Sequence, residues 1–235
     1  KLADVLETDA TYACKKLVCR ELALIAGEEQ VDELASLLAG PKLCHSALYA
    51  LAHIDSSEVD SALRDALEKA SGRALIGIIN CLGRREDRRA TGALVELLDH
   101  QKPEVRMAAA GALGRIGGRE ARNALSGVFN TSEGGLHVAA SEARLRCAGR
   151  VRGTGDERRA RQIYADAYRS DVSHGLRADA LKGLFHTSRA DRRDALVHET
   201  LSETDERSAV HEVVGDVLRQ QWGRDQIGRA SCRER

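Results

Sequence analysis

The residues that could do chemistry in this chain do not form a known catalytic motif. The cysteines include no CxxC pair, and Cys44, Cys81 and Cys147 lie among apolar residues at helical spacing, as buried cysteines do. Cys44 is next to His45, so on a helix their side chains would diverge. We find no GxSxG elbow, no phosphate-binding glycine loop and no ordered carboxylate pair. We therefore predict no enzymatic activity, no catalytic residue and no cofactor.

Two His-Glu pairs are the best candidates for metal ligands: His198-Glu199 and His211-Glu212. Histidine and glutamate can together bind iron. The two pairs are thirteen residues apart, so they would lie in different helices with different registers, and no earlier segment carries a matching pair. We predict no metal site.

A cluster of arginines suggests phosphate or nucleic-acid binding, because arginine is suited to bidentate contacts with phosphate. Seven arginines occur within eighteen residues: Arg144, Arg146, Arg150, Arg152, Arg158, Arg159 and Arg161. Against this, the formal net charge of the chain is zero and aromatic residues make up only 3% of it. A nucleic-acid-binding protein usually has a basic excess and stacking aromatics. Nucleic acid is thus a disfavoured partner, kept as an alternative.

The composition predicts an all-α protein. Aromatic residues are scarce and there are only two prolines, whereas a β-sandwich or barrel would need more of both. Alanine, leucine, arginine and glutamate are abundant, and all four are good helix formers. No run of eighteen apolar residues occurs, so no membrane span is predicted. The compartment stays open.

Leucines recur at a near-constant interval, which indicates a repeat protein. Four leucines are separated by intervals of 29, 31 and 31 residues: Leu22, Leu51, Leu82 and Leu113. Another leucine follows each of them twelve residues later: Leu34, Leu63, Leu94 and Leu125. Each unit is predicted to be helix, turn, helix. The predicted pairs are 9–39, 41–70, 72–100, 103–130, 134–170 and 174–202, with a seventh beginning at SAVHEVV. The fold class is therefore an all-α solenoid of about six to seven helical hairpins of about 31 residues.

Proline and glycine mark the expected ends of the helices. Pro103 suits a first helical turn, where no amide donor is needed, and Pro41 would play the same role. Gly117 and Gly118 can adopt the left-handed conformation that ends a helix. Leu113, which lies between Pro103 and Gly117, is on the apolar face of the best-defined unit.

The ends of the chain are interpreted separately. The chain begins at Lys1 rather than methionine, and residues 227–235 read IGRASCRER, which resembles a translated sequencing adapter. We predict that residues 1–226 form the solenoid, truncated at both ends, and that residues 227–235 are an adapter-derived artefact.

The segment VRMAAAGALGRIGG resembles the HEAT repeat of the phycobilisome-lyase-like class. The longer stretch from Ala13 to Leu125 is similar to bacterial HEAT-repeat proteins of the planctomycete and verrucomicrobial type. The resemblance extends to about Gly223 and is specific for fold rather than function. It implies a scaffold for a protein partner, as the docking part of a longer multidomain protein or on its own. It leaves open a phycobilin-lyase-like protein that handles a chromophore.

The resemblance also implies that the second helix of each hairpin lines the concave face, as it does in HEAT stacks. Charges expected on these helices change sign along the chain, which predicts a charge-graded groove that could orient a charged protein partner. The alternative is an ordinary solvated surface in which acidic and basic residues pair three or four positions apart. The candidate partner-binding residues are Glu29, Asp32, Glu33, Arg88, Arg89, Arg119, Arg122, Arg158, Arg159, Arg161, Arg192 and Arg193.

Overall fold

The computed structural model describes residues 2–40, 42–170, 172–203 and 213–216, except for the side chains of residues 190–191 and 201–203. The described residues are helical with no strand, which confirms the all-α solenoid. Their helices form six consecutive hairpins. The pairs are α1 (Tyr12–Ile25) with α2 (Val31–Ser36), α3 (Cys44–Leu51) with α4 (Ser57–Lys69), α5 (Gly72–Arg85) with α6 (Thr91–Glu96), α7 (Pro103–Ile116) with α8 (Gly118–Thr131), α9 (Gly134–Gly153) with α10 (Glu157–Arg169), and α11 (His174–Thr187) with α12 (Ala190–Glu203).

Each of the six predicted segments corresponds to one of these hairpins, although α8 and α12 each extend one residue past the predicted end, to Thr131 and Glu203. Short 3-10 turns occur at Ala3–Glu7, Glu28–Gln30, Arg88–Ala90 and Leu97–Asp99. The predicted seventh hairpin, Pro41 and residues 227–235 lie outside the described residues, apart from a helical stretch at 213–216. Within the described part of the chain, no helix is both long and apolar enough to cross a membrane.

Local sequence explains where the helices begin and end. Helix α7 begins at Pro103 and ends before Gly117, whose φ of 70° is a conformation that a side chain would oppose. Polar side chains cap other helices: Thr11 Oγ1 accepts from the Cys14 amide at 3.3 Å, and Asp156 Oδ1 accepts from the Arg159 amide at 3.1 Å. These caps satisfy amides that have no partner inside the helix.

The repeating leucines form the core. The two members of the fourth pair, Leu113 and Leu125, are both fully buried. All eight repeat leucines are at most 3% exposed: Leu22, Leu34, Leu51, Leu63, Leu82, Leu94, Leu113 and Leu125. Helical spacing therefore places one leucine from each helix of a hairpin between the two layers of the stack.

The chain forms two compact units, Lys1–Ala143 and Arg144–Arg235, and the boundary falls inside α9. In the first unit, the first helices of successive hairpins pack side by side, and α5 and α7 lie in backbone contact through Gly83 and Ala112. In the second unit, the described core joins α10, α11 and α12 around Tyr164, Tyr168 and Phe185.

Candidate functional site

A groove runs across the exposed side of the first helices α1, α3 and α5 in the first unit. One part has a volume of about 630 Å³ and lies between α1 and α3; the other, of about 390 Å³, lies between α3 and α5. Both parts include His45 and Tyr49, so they adjoin along α3. We call this surface the first-helix groove. Its lining residues include Tyr12, Lys16, Leu17, Arg20, His45, Tyr49, Arg73 and Arg84.

The groove exposes large apolar side chains. Tyr12 is 51% exposed, Leu17 48% and Tyr49 54%. Helix α1 directs Val18 and Leu22 into the core, which leaves Tyr12 and Leu17 on its outer side. Contiguous exposed apolar surface is typical of a binding site, and tyrosine offers a large contact area together with a hydroxyl group.

The charge of the groove is positive. Lys16, Arg20, Arg73 and Arg84 line it, and no carboxylate is among its lining residues. Arg20 forms an ion pair of 3.1 Å with Glu21, but both side chains are exposed, so this pair contributes little to stability. A ligand with negative charge would therefore meet three cations that form no ion pair with a described residue, Lys16, Arg73 and Arg84, beside the exposed apolar side chains.

Two contacts within the described residues hold the centre of the groove in place. The Tyr49 ring meets the His53 ring edge-on, with the ring centroids 4.8 Å apart. The His53 ring nitrogen Nδ1 also lies 2.8 Å from the Tyr49 carbonyl oxygen. A Cβ atom added to Gly77 of α5 would lie 2.7 Å from Leu48 Cδ1 of α3, so the absence of a side chain at Gly77 lets α3 and α5 approach each other. Tyr49 is thus positioned before any ligand binds.

The charged residues predicted for partner binding lie elsewhere, on the second helices or the turns that precede them. In the first unit, Glu29, Asp32, Arg88, Arg89 and Arg119 are exposed, and none of them lines the first-helix groove. Two more of the predicted partner-binding residues, Glu33 and Arg122, are half-buried. Asp32 lines a separate depression of about 530 Å³ between α2 and α4, together with Glu58 and Asp65.

In the second unit, the structure brings three of the predicted arginines to one cavity. Arg158 and Arg161 of α10 and Arg192 of α12 line it. Arg159 is exposed but lies outside the cavity, and Arg193 Nε donates to the Ser188 carbonyl oxygen at 2.8 Å. The predicted set is therefore divided among several surfaces.

The metal candidates can be placed only in part. His198 is exposed and Glu199 is half-buried on α12, whereas His211-Glu212 lies outside the described residues. Among the residues that the structure describes, no group of three or more histidines, cysteines, aspartates or glutamates could hold a metal ion.

Sequence reasoning missed Tyr12 and Tyr49. The available signal was their position off the leucine stripe in a chain that has only four tyrosines. The other two, Tyr164 and Tyr168, are buried. Residue type alone did not separate the two exposed tyrosines from the two buried ones.

Comparisons with known proteins support the repeat assignment. Residues 67–146, which are 80 of the 235 residues, match the family model described as HEAT repeats. A comparison with curated proteins finds no match. One similar solved structure is an engineered protein, with 19% identity and a TM-score of 0.46; the match covers 92% of this chain and 66% of the engineered one. Another is human deoxyhypusine hydroxylase in complex with glycerol, with 18% identity and a TM-score of 0.38, over 89% of this chain and 80% of that one.

Proposed function

We propose that this chain is a non-catalytic scaffold that binds a partner protein, and that an acidic segment of the partner docks in the first-helix groove. The observation that carries the proposal is one groove whose described lining combines two half-exposed tyrosines with three unpaired cations, Lys16, Arg73 and Arg84, and includes no carboxylate. HEAT repeats, which residues 67–146 match, are typical of protein-interaction scaffolds, and this supports the class of function only.

Each part of the groove has a distinct role in the proposed complex. Tyr12 and Tyr49 would provide the buried contact area, since aromatic side chains dominate the binding energy at protein interfaces. Lys16, Arg73 and Arg84 would attract the acidic segment and fix its direction, because complementary charge acts mainly on association rate and specificity. Tyr49 would lose little conformational freedom on binding, because His53 already contacts its ring.

The experiment uses a fluorescein-labelled synthetic peptide of alternating glutamate and leucine residues, titrated with the full chain and followed by fluorescence anisotropy. Tyr49→Ala should weaken binding about tenfold, as expected for a central aromatic contact. Arg84→Gln should weaken it less and reduce its dependence on salt.

Arg88→Gln is the matched control, because it removes the same charge from a neighbouring exposed position outside the groove. It should leave the affinity unchanged. If Arg88→Gln weakens binding and Tyr49→Ala does not, the partner uses the second-helix surface instead. If the peptide fails to bind while a single-stranded RNA binds with strong salt dependence, the nucleic-acid alternative replaces this proposal.

A further inference from the structure

The second unit contains a cavity that the proposed scaffold function does not use. It has a volume of about 290 Å³ and lies between one face of α10, the end of α11 and one face of α12. This is close to the smallest size usual for ligand pockets, so it fits a small group rather than a polymer.

Three arginines converge on one end of the cavity. Arg158 and Arg161 are one helical turn apart near the start of α10, and Arg192 is in the first turn of α12. Arg161 is anchored, because its Nε donates to the Thr187 carbonyl oxygen at 2.7 Å and its Nη2 donates to the same atom. This leaves the Nη1 hydrogens of Arg161 available to a ligand. Arg158 and Arg192 are exposed and form no ion pair with any described residue.

The second observation is a buried hydroxyl group in the cavity wall. Ser188 is only 6% exposed, and its Oγ makes no hydrogen bond to any other described residue. Its backbone is fixed, since the Ser188 carbonyl oxygen accepts from Arg193 Nε at 2.8 Å. A buried hydroxyl group without a partner is unfavourable, so rotation of the Ser188 side chain towards the cavity would give this hydroxyl group a ligand oxygen as its acceptor.

The remaining charged groups leave this end of the cavity positive. Two other charged residues line the cavity. Glu199 is seven residues beyond Arg192 on α12, which corresponds to about 10 Å along the helix, and Arg169 lies at the far end of α10. Partial desolvation of the exposed His186, followed by the charges of Arg152 and Arg193, lowers its pKa, which agrees with a positive potential near the end of α11. Apolar side chains, among them Leu184 and Leu196, line other parts of the wall.

We propose that this cavity binds a phosphate monoester. The phosphate oxygens would accept hydrogen bonds from Arg158, Arg161 and Arg192 and from the Ser188 hydroxyl group, while the carbon body of the ligand lies along Leu184 and Leu196. Phosphate suits this set better than carboxylate, since a dianion with three terminal oxygens can engage several arginines and a hydroxyl group at once. The phosphate can belong to a small metabolite or to a phosphorylated side chain.

The test is calorimetric titration of the full chain with phenyl phosphate, and with benzoate as the carboxylate comparison. Arg158→Gln and Arg192→Gln should each weaken phenyl phosphate binding at least about tenfold, because each removes a charge-assisted hydrogen bond. Ser188→Ala should weaken it severalfold without lowering Tm. Arg161 is left unchanged because it also holds the Thr187 carbonyl group.

Arg159→Gln is the control, since Arg159 carries the same charge next to Arg158 but lies outside the cavity. Its affinity should equal that of the unmodified protein. The proposal is overturned if phenyl phosphate does not bind, if Arg159→Gln weakens binding as much as Arg158→Gln, or if benzoate binds as tightly. A phosphoserine peptide that binds more tightly than phenyl phosphate identifies the source as a phosphorylated protein; one that binds no more tightly identifies it as a metabolite.

Discussion

A Cβ atom added to Gly83 would lie only 2.7 Å from the Cα atom of Ala112, so α5 and α7 touch backbone to backbone at this point. The same relationship occurs one repeat later, where a Cβ atom on Gly114 would lie 2.6 Å from the Cα atom of Ala143. Each glycine directly follows a core leucine of the repeat, Leu82 or Leu113. The glycine–alanine contact therefore sets the spacing of first helices in this part of the first unit.

We expect Gly83→Ala to destabilise the protein by about 1–3 kcal/mol, because the added methyl group must force α5 and α7 apart. The free energy of unfolding in urea measures the change. Gly127→Ala is the control, since Gly127 also lies within a helix but has no neighbouring atom within 4 Å of an added Cβ atom. That variant should gain about 0.5–1 kcal/mol from reduced backbone freedom in the unfolded chain. Equal effects at both positions would contradict the close packing of α5 and α7.

Arg85 ties the end of α5 to the preceding hairpin. Its Nη1 donates to the Ile54 carbonyl oxygen at 2.9 Å, its Nη2 donates to the Ser56 carbonyl oxygen at 2.8 Å, and its Nε pairs with Asp60. Lysine cannot reproduce this planar set of donors. We therefore expect Arg85→Lys to cost about 1–3 kcal/mol of the free energy of unfolding.

The neighbouring Arg84 provides the comparison because it is exposed and forms no ion pair with a described residue. Arg84→Lys should change the free energy of unfolding by less than about 0.5 kcal/mol. Urea titration measures both variants. If Arg84→Lys and Arg85→Lys lower the free energy of unfolding by similar amounts, the hydrogen bonds of Arg85 to the α3–α4 turn are not what holds this end of α5.

The hairpins could be predicted because each one repeats the same local pattern. Buried leucines such as Leu82 and Leu94 recur at fixed spacing, and Pro103 and Gly117 mark helix ends through their own backbone preferences. These signals are contained within a single hairpin, so one sequence is enough to detect them.

The sites could not be predicted in the same way, because they depend on packing between hairpins. Tyr49 becomes part of a groove only when α1 and α5 stack on either side of α3. Arg158 and Arg192 are 34 residues apart and meet only through the end of α11, where Ser188 is buried. The sequence predicted charged residues on the second helices, but it could not indicate which of these charges share a cavity.

Cysteine reactivity should follow burial. Cys14 is exposed, whereas burial raises the pKa of the Cys19, Cys44 and Cys81 thiols. The thiolate is the reactive form, so a raised pKa and poor access both slow alkylation. We expect iodoacetamide at mildly alkaline pH to modify Cys14 faster than Cys19, Cys44 and Cys81 in the folded protein, as read by mass spectrometry of tryptic peptides. In guanidinium chloride the four rates should become similar. Modification of Cys81 as fast as Cys14 in the folded protein would contradict the buried position of the Cys81 side chain on α5.

His186 provides a pH-dependent test of the positive potential at the end of α11. His186 is exposed, but partial desolvation, then the charges of Arg152 and Arg193, lowers its pKa, so the folded protein binds this proton less readily than the unfolded chain does. The resulting contribution to stability is complete above the ordinary histidine pKa of about 6.5 and is lost as the pH falls through the lower folded value. His186→Gln should therefore flatten the pH dependence of the free energy of unfolding in this window. In an NMR titration, Arg193→Gln should raise the pKa of His186 part of the way towards its ordinary value, whereas Arg159→Gln should leave it unchanged. If Arg193→Gln has no effect, the charge of Arg193 does not contribute to the lowered pKa of His186.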